Sequence, residues 1–253
     1  MLESTQPEPG AHGAGGGEQP RGPRAPGPRD QPASPDPVKS RLLQRACGST
    51  GTILATLSPA DLDRPTPCAL WTVRDVVNHL VGSAGFFAEL AGAGEVRDRD
   101  EDPDFTAGDF NAAFRQRATR LVAAFDAPGA MDEMMKMPFG GTPGWVCAYI
   151  AAGDIFTHGW DLAKATGQST DLEPELAGML LERIITILPD SMGGPEGEAP
   201  FGPRVEVAES APAADQLAAF QGRQPWSPLE NMGPGAASVI HSPIVPAAHP
   251  PRT

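Results

Sequence analysis

The sequence predicts an all-α protein, a four-helix bundle with additional C-terminal helices. Three observations carry that prediction. Five stretches repeat apolar residues at helical spacing, strand signals are thin, and the helix breakers gather mainly outside those stretches. The chain has 253 residues, with 29 Gly and 29 Pro. Together these make about 23% of the chain, against a usual level of about 12%. Residues 1–38 alone hold nine Pro, seven Gly and no aromatic residue. Such a segment buries too little apolar area to offset its ordering entropy, so it reads as a disordered tail. Residues 226–253 are Pro-rich without periodicity and read as a second tail, and 189–203 reads as a long loop. One helical domain, 39–225, is left, long enough to bury a core.

Its elements follow in order. The first helix is expected over 38–57, with Leu42, Leu43, Ala46, Ile53, Leu54 and Leu57 as its apolar face, and Gly48–Gly51 weakening its middle. The second begins at Thr72, where Thr72 and Asp75 have the spacing of a capping box. It carries Val73, Val76, Val77, Leu80, Val81, Ala84 and Phe87 and ends near Gly92 and Gly94. Residues 95–104 hold six acids against two Arg and read as a solvated loop. The third helix is expected over 106–125, the fourth over 143–165 with Gly167 as its stop, and the fifth over 174–188, opened by Pro174 and closed by Pro189. The stretch 204–209 alternates like a short strand, and an amphipathic piece spans 213–220.

Charge excludes some functions. The formal net charge is −13, so the chain lacks the clustered cations that phosphate contacts need, and no nucleic-acid partner is expected. No apolar run approaches the roughly 18 residues of a membrane helix. No basic region followed by an apolar run opens the chain, so no secretory signal is expected. The three Cys are odd and sparse, which suits a reducing cytoplasm.

Two His fall within the helical region. His79 sits beside the buried stripe of the second helix, where it reads either as a boundary His satisfied by a neighbour or as a ligand. His158 has Asp154 one turn before it, so both project from one face of the fourth helix. That pair reads as a surface ion pair or as two ligands of one divalent cation. The apolar flanks Ile150, Ala151, Ile155, Phe156 and Trp160 mark a buried helix, where a charge needs a partner or a metal. His79, Asp154 and His158 from two facing helices, with an open fourth position, would match a catalytic zinc site.

Other residues read more plainly. Cys147 lies two turns, about 10 Å, from Asp154 and reads as packing. Cys68 reads as structural, and Trp71 and Trp160 as packing anchors. Asp161 either orients His158 or pairs with Lys164. Arg45 and Arg74 are cations that could meet a cofactor's polar groups. No catalytic residue beyond the three metal ligands is singled out.

Three strings carry a resemblance: CALWTVRDVVNHLVG (68–82), PGWVCAYIAAGDIFTHGWDLAKATGQ (143–168) and FGPRVEVAESAPAADQLAAFQGRQP (201–225). They resemble actinobacterial metal-binding proteins related to the N-terminal domain of mycothiol-dependent maleylpyruvate isomerase, in the DinB-like four-helix bundle superfamily. The resemblance spans roughly 40–225. It implies a divalent metal, usually zinc, held by His79, Asp154 and His158, with Asp154 standing where the isomerase typically has Glu. It further implies a low-molecular-weight thiol such as mycothiol as cosubstrate, and a transferase or isomerase acting on a small electrophile. The isomerase's second domain is not expected after 225. Two alternatives stay open: a non-catalytic metal- or ligand-binding module, and a hydrolase using a metal-activated water.

Overall fold

The computed structural model describes residues 39–68, 71–93, 102–188, 193–194 and 201–225. The tails expected at 1–38 and 226–253 lie outside the described residues, as do most of 95–104 and most of 189–203. The described helices are α1 (Lys39–Leu54), α2 (Val73–Ala93), α3 (Phe110–Asp126), α4 (Gly144–Thr166), α5 (Pro174–Ile187) and α6 (Ala213–Phe220). Helices α1 and α2 each lie against both α3 and α4, which closes the expected four-helix bundle. Helix α5 packs on α4, and α6 packs on both α5 and α4.

The GSTG run does not break α1. Thr50 is fully buried and its hydroxyl donates to the Ile155 carbonyl at 2.8 Å, tying α1 to α4. Opposite it lies Gly159, where an added Cβ would collide with the Thr50 side chain. Two small residues let the helices approach closely, and that packing outweighs the low helix propensity of glycine. The capping box at the start of α2 forms as expected. Asp75 accepts from the Thr72 backbone N–H at 2.8 Å and from its hydroxyl at 2.6 Å. Helix α3 starts later than the periodicity predicts. Phe105–Ala107 is a 3-10 turn, and Asp109 then caps α3 by accepting from the Ala112 N–H at 2.8 Å.

Strands appear elsewhere than expected. Residues 204–208 form no strand among the described residues, and the Val205 N–H donates to the Ala219 carbonyl of α6 at 2.9 Å. A two-stranded antiparallel hairpin forms from β1 (Met134–Met137) and β2 (Gly140–Pro143). Its alternation is hidden in sequence because methionine occupies both faces: Met135 and Met137 are buried, whereas Met134 is exposed. No helix among the described residues is long and apolar enough to cross a membrane.

Candidate metal centre

The core residues of α2 and α4 bring His79, Asp154 and His158 together. One donor atom from each lies within 4.8 Å of the other two. His79 Nε2 sits 3.1 and 3.2 Å from the two Asp154 carboxylate oxygens, and His158 Nε2 sits 3.5 Å from Oδ1. Ser83, one turn beyond His79 on α2, donates its hydroxyl to Asp154 Oδ2 at 2.6 Å. Both histidines are buried, at 4% and 3% exposure. Burial works to raise the Asp154 carboxyl. The nearby His79 and His158 rings and the Ser83 hydroxyl outweigh it, so the group is held well below the usual carboxylate range.

Trp71 covers this cluster. Its ring stacks on His158 at 5.5 Å and tilts against His79 at 4.9 Å, while the two imidazoles meet edge to face at 4.6 Å. The residue expected as a packing anchor is therefore a wall of the site. Its signal was its place one residue before the capped helix that carries His79.

Behind His158 stands a second carboxylate. His158 Nδ1 lies 3.0 Å from Asp161 Oδ2, so Asp161 meets His158 rather than Lys164, whose ammonium donates to the Pro225 carbonyl. Asp161 also accepts from Arg223 Nη2 at 2.8 Å and Nε at 3.2 Å. Both members of that ion pair are buried, at 0% and 1% exposure. Burial opposes ionisation at both groups; each is offset by the other, which lowers the Asp161 carboxyl and raises the Arg223 guanidinium. Nothing in the local sequence around Arg223 marks it, because its partner is 62 residues away.

The three cysteines are buried and form no disulfide. Cys68 lies nearer the site than expected: its sulfur, a His158 nitrogen and an Asp161 oxygen lie within 4.8 Å of one another. Burial pushes its thiol well up, and the Arg223 guanidinium on Asp161 supplies the positive charge there. Cys147 packs away from the site with its sulfur 3.9 Å from the Thr142 carbonyl, and burial pushes its thiol up to about 12. Arg45 pairs with Glu173 and Glu175, and Arg74 with Asp63, Asp104 and Thr106. Neither reaches the cluster in these contacts.

The donor set suits a divalent cation of zinc type: two imidazoles and one carboxylate from facing helices, with one imidazole backed by a second carboxylate. Fold and cluster together define a helical bundle with a candidate metal centre between two of its helices. The chain belongs to the mycothiol maleylpyruvate isomerase N-terminal domain family, whose model matches residues 43–163. His79, Asp154 and His158 fall inside that span; Arg223 lies beyond it. The chain is similar to the uncharacterized proteins Rv0738 and MT0763 from two strains of Mycobacterium tuberculosis. Each is 36% identical over 188 residues, covering 74% of this chain and 98% of the relative. Among solved structures, mycothiol-dependent maleylpyruvate isomerase aligns over 58% of this chain and 68% of its own at 16% identity, with a TM-score of 0.46. A point mutant of that isomerase aligns over the same shares at 17% identity, with a TM-score of 0.47.

Proposed function

We propose that this chain is a divalent-metal-dependent enzyme that uses a low-molecular-weight thiol such as mycothiol, as an S-transferase or isomerase on a small electrophile. One observation carries the reading: the convergence of His79, Asp154 and His158 donor atoms within 4.8 Å between α2 and α4. Membership of a family described by a mycothiol-dependent isomerase supports the thiol.

A bound divalent cation would lower the pKa of a thiol at its open position and so make thiolate available at neutral pH. The chain's own residues supply the frame. His79 and His158 would present ring nitrogens, and Asp154 would present a carboxylate that balances part of the cation's charge. Ser83 holds Asp154 in place. Trp71 restrains both rings and keeps water off one side. In the reaction a sulfur–carbon bond forms. On substitution the thiol proton leaves with the displaced group; on addition it moves to the neighbouring carbon, and in an isomerisation loss of a proton from that carbon then breaks the sulfur–carbon bond and releases the thiol.

Elemental analysis of the purified protein tests this directly, followed by thermal denaturation with mycothiol, with and without a chelator. About one zinc or similar cation per chain and a metal-dependent rise in Tm with mycothiol are expected. Retention of full metal content by both His79→Ala and His158→Ala would overturn the reading. Metal-dependent ester cleavage without any thiol would assign the site to hydrolysis, and metal without turnover on any electrophile would make it a binding module.

A further inference from the structure

Four residues of α4 meet the C-terminal segment: Thr157, Trp160, Asp161 and Lys164. Each meets one group of residues 213–225. Trp160 Nε1–H donates to Asp215 at 2.8 Å, and Gln221 Nε2–H donates to Thr157 at 2.9 Å. Arg223 donates to Asp161, and Lys164 to the Pro225 carbonyl. The positions 157, 160, 161 and 164 are spaced three and four apart, so they form one helical stripe. The segment is thus fastened along a face of α4 adjacent to the one bearing Asp154 and His158.

One of these four fastenings reaches the cluster. Asp161 Oδ2 is shared by Arg223 Nη2 and His158 Nδ1. We infer that Arg223 is a positioning residue for the candidate metal centre: it fixes the Asp161 carboxylate, which accepts a hydrogen bond from His158 Nδ1–H and so leaves Nε2 as the ring nitrogen turned to Asp154. The fork geometry matters. Nε and Nη2 both engage Asp161 while Nη1 donates to the Gln221 carbonyl at 3.2 Å, so the guanidinium plane is set on two sides. The backbone also brings Arg223 in. Gly222 has φ +88, and an added Cβ would stand 2.6 Å from the Gly202 Cα, so only glycine fits where the chain turns Arg223 inward. The C-terminal segment, outside the span matched by the family model, thereby becomes part of the site's support.

The inference rests on the proposed metal centre for its consequence, and its test separates the two. The first measurement needs no metal. In the metal-free protein, the His158 Nδ1–H is followed by 1H–15N NMR and solvent exchange. A slowly exchanging, hydrogen-bonded resonance is expected in the wild type, with exchange at least tenfold faster in Arg223→Met and an intermediate rate in Arg223→Lys, which keeps the charge but loses the fork. The second measurement is zinc affinity by competition with a chromogenic chelator. Arg223→Met is expected to weaken binding about tenfold, as removing a group that orients a metal-bound His does, with partial recovery in Arg223→Lys. Should Arg223→Met fail to fold by circular dichroism, Arg223→Lys carries both measurements. Unchanged ring-proton exchange in the folded variants overturns the positioning role, whatever the metal result. A wild type that binds no zinc yet shows the exchange effect overturns the proposed function and leaves the positioning role standing.

Discussion

Helix α4 carries two carboxylates two turns apart, Asp154 part-buried and Asp161 fully enclosed, and they live differently. Asp161 has a permanent cation, the Arg223 guanidinium at 2.8 Å. Asp154 has the two histidines and the Ser83 hydroxyl, and its ionic partners among the described residues are His79 and His158. A buried carboxylate that owns an arginine is finished: its charge is matched and its lone pairs are used. A carboxylate whose ionic partners are imidazoles has partners that serve equally as ligands, so the same group of atoms suits a cation. The sharing of His158 between the two acids joins the finished end of the helix to the open one.

The largest expected effect breaks the open end. Asp154→Ala should reduce metal content from about one per chain to near zero in elemental analysis; wild-type content in that variant would remove Asp154 from the site. Breaking the finished end should cost stability. Arg223→Met leaves Asp161 buried beside no cation and should lower unfolding free energy by about 3–5 kcal/mol in urea titration. A loss below about 1 kcal/mol would show that the pair is better solvated than its burial implies.

Buried groups that have no ion partner sharpen the contrast. Burial pushes the Cys47 and Cys147 thiols up to about 12, from an ordinary value of 9.0. The folded chain therefore holds both protons in a range where the unfolded chain releases them. Their contribution is fully present below pH 9.0 and is lost as pH rises toward about 12, at up to about 1.4 kcal/mol per pH unit for each thiol. Urea titrations across that range should show the decline, and Cys47→Ala should flatten it; an identical slope in the variant would contradict the assignment. The smallest effect concerns Ser83. Ser83→Ala removes the donor to Asp154 and should cost about 1 kcal/mol in the metal-free protein, read from the urea midpoint.

Much of the fold was legible because its signals are local. Apolar spacing marked each α-helix among the described residues, and the Thr72–Asp75 box and Gly167 marked ends that the structure keeps. The departures have tertiary causes. Glycines 48 and 51 looked like a weak point in α1, yet Thr50 between them donates to the Ile155 carbonyl and packs against Gly159 of α4, where no side chain would fit. The hairpin at 134–143 was invisible because methionine suits both of its faces. The stretch 204–209 alternates but pairs with no strand among the described residues, and the Val205 N–H goes to the Ala219 carbonyl of α6.

The candidate site divides in the same way. By itself the sequence determined which faces of α2 and α4 carry His79, Asp154 and His158, because helical spacing fixes neighbours one turn apart. Tertiary structure decided the rest: that those faces meet, that Trp71 lies across both imidazoles, and that Arg223 reaches Asp161 from 62 residues away. The physical reason is range. Periodicity and caps act over three or four residues, whereas burying a charge demands a partner that the whole fold must deliver.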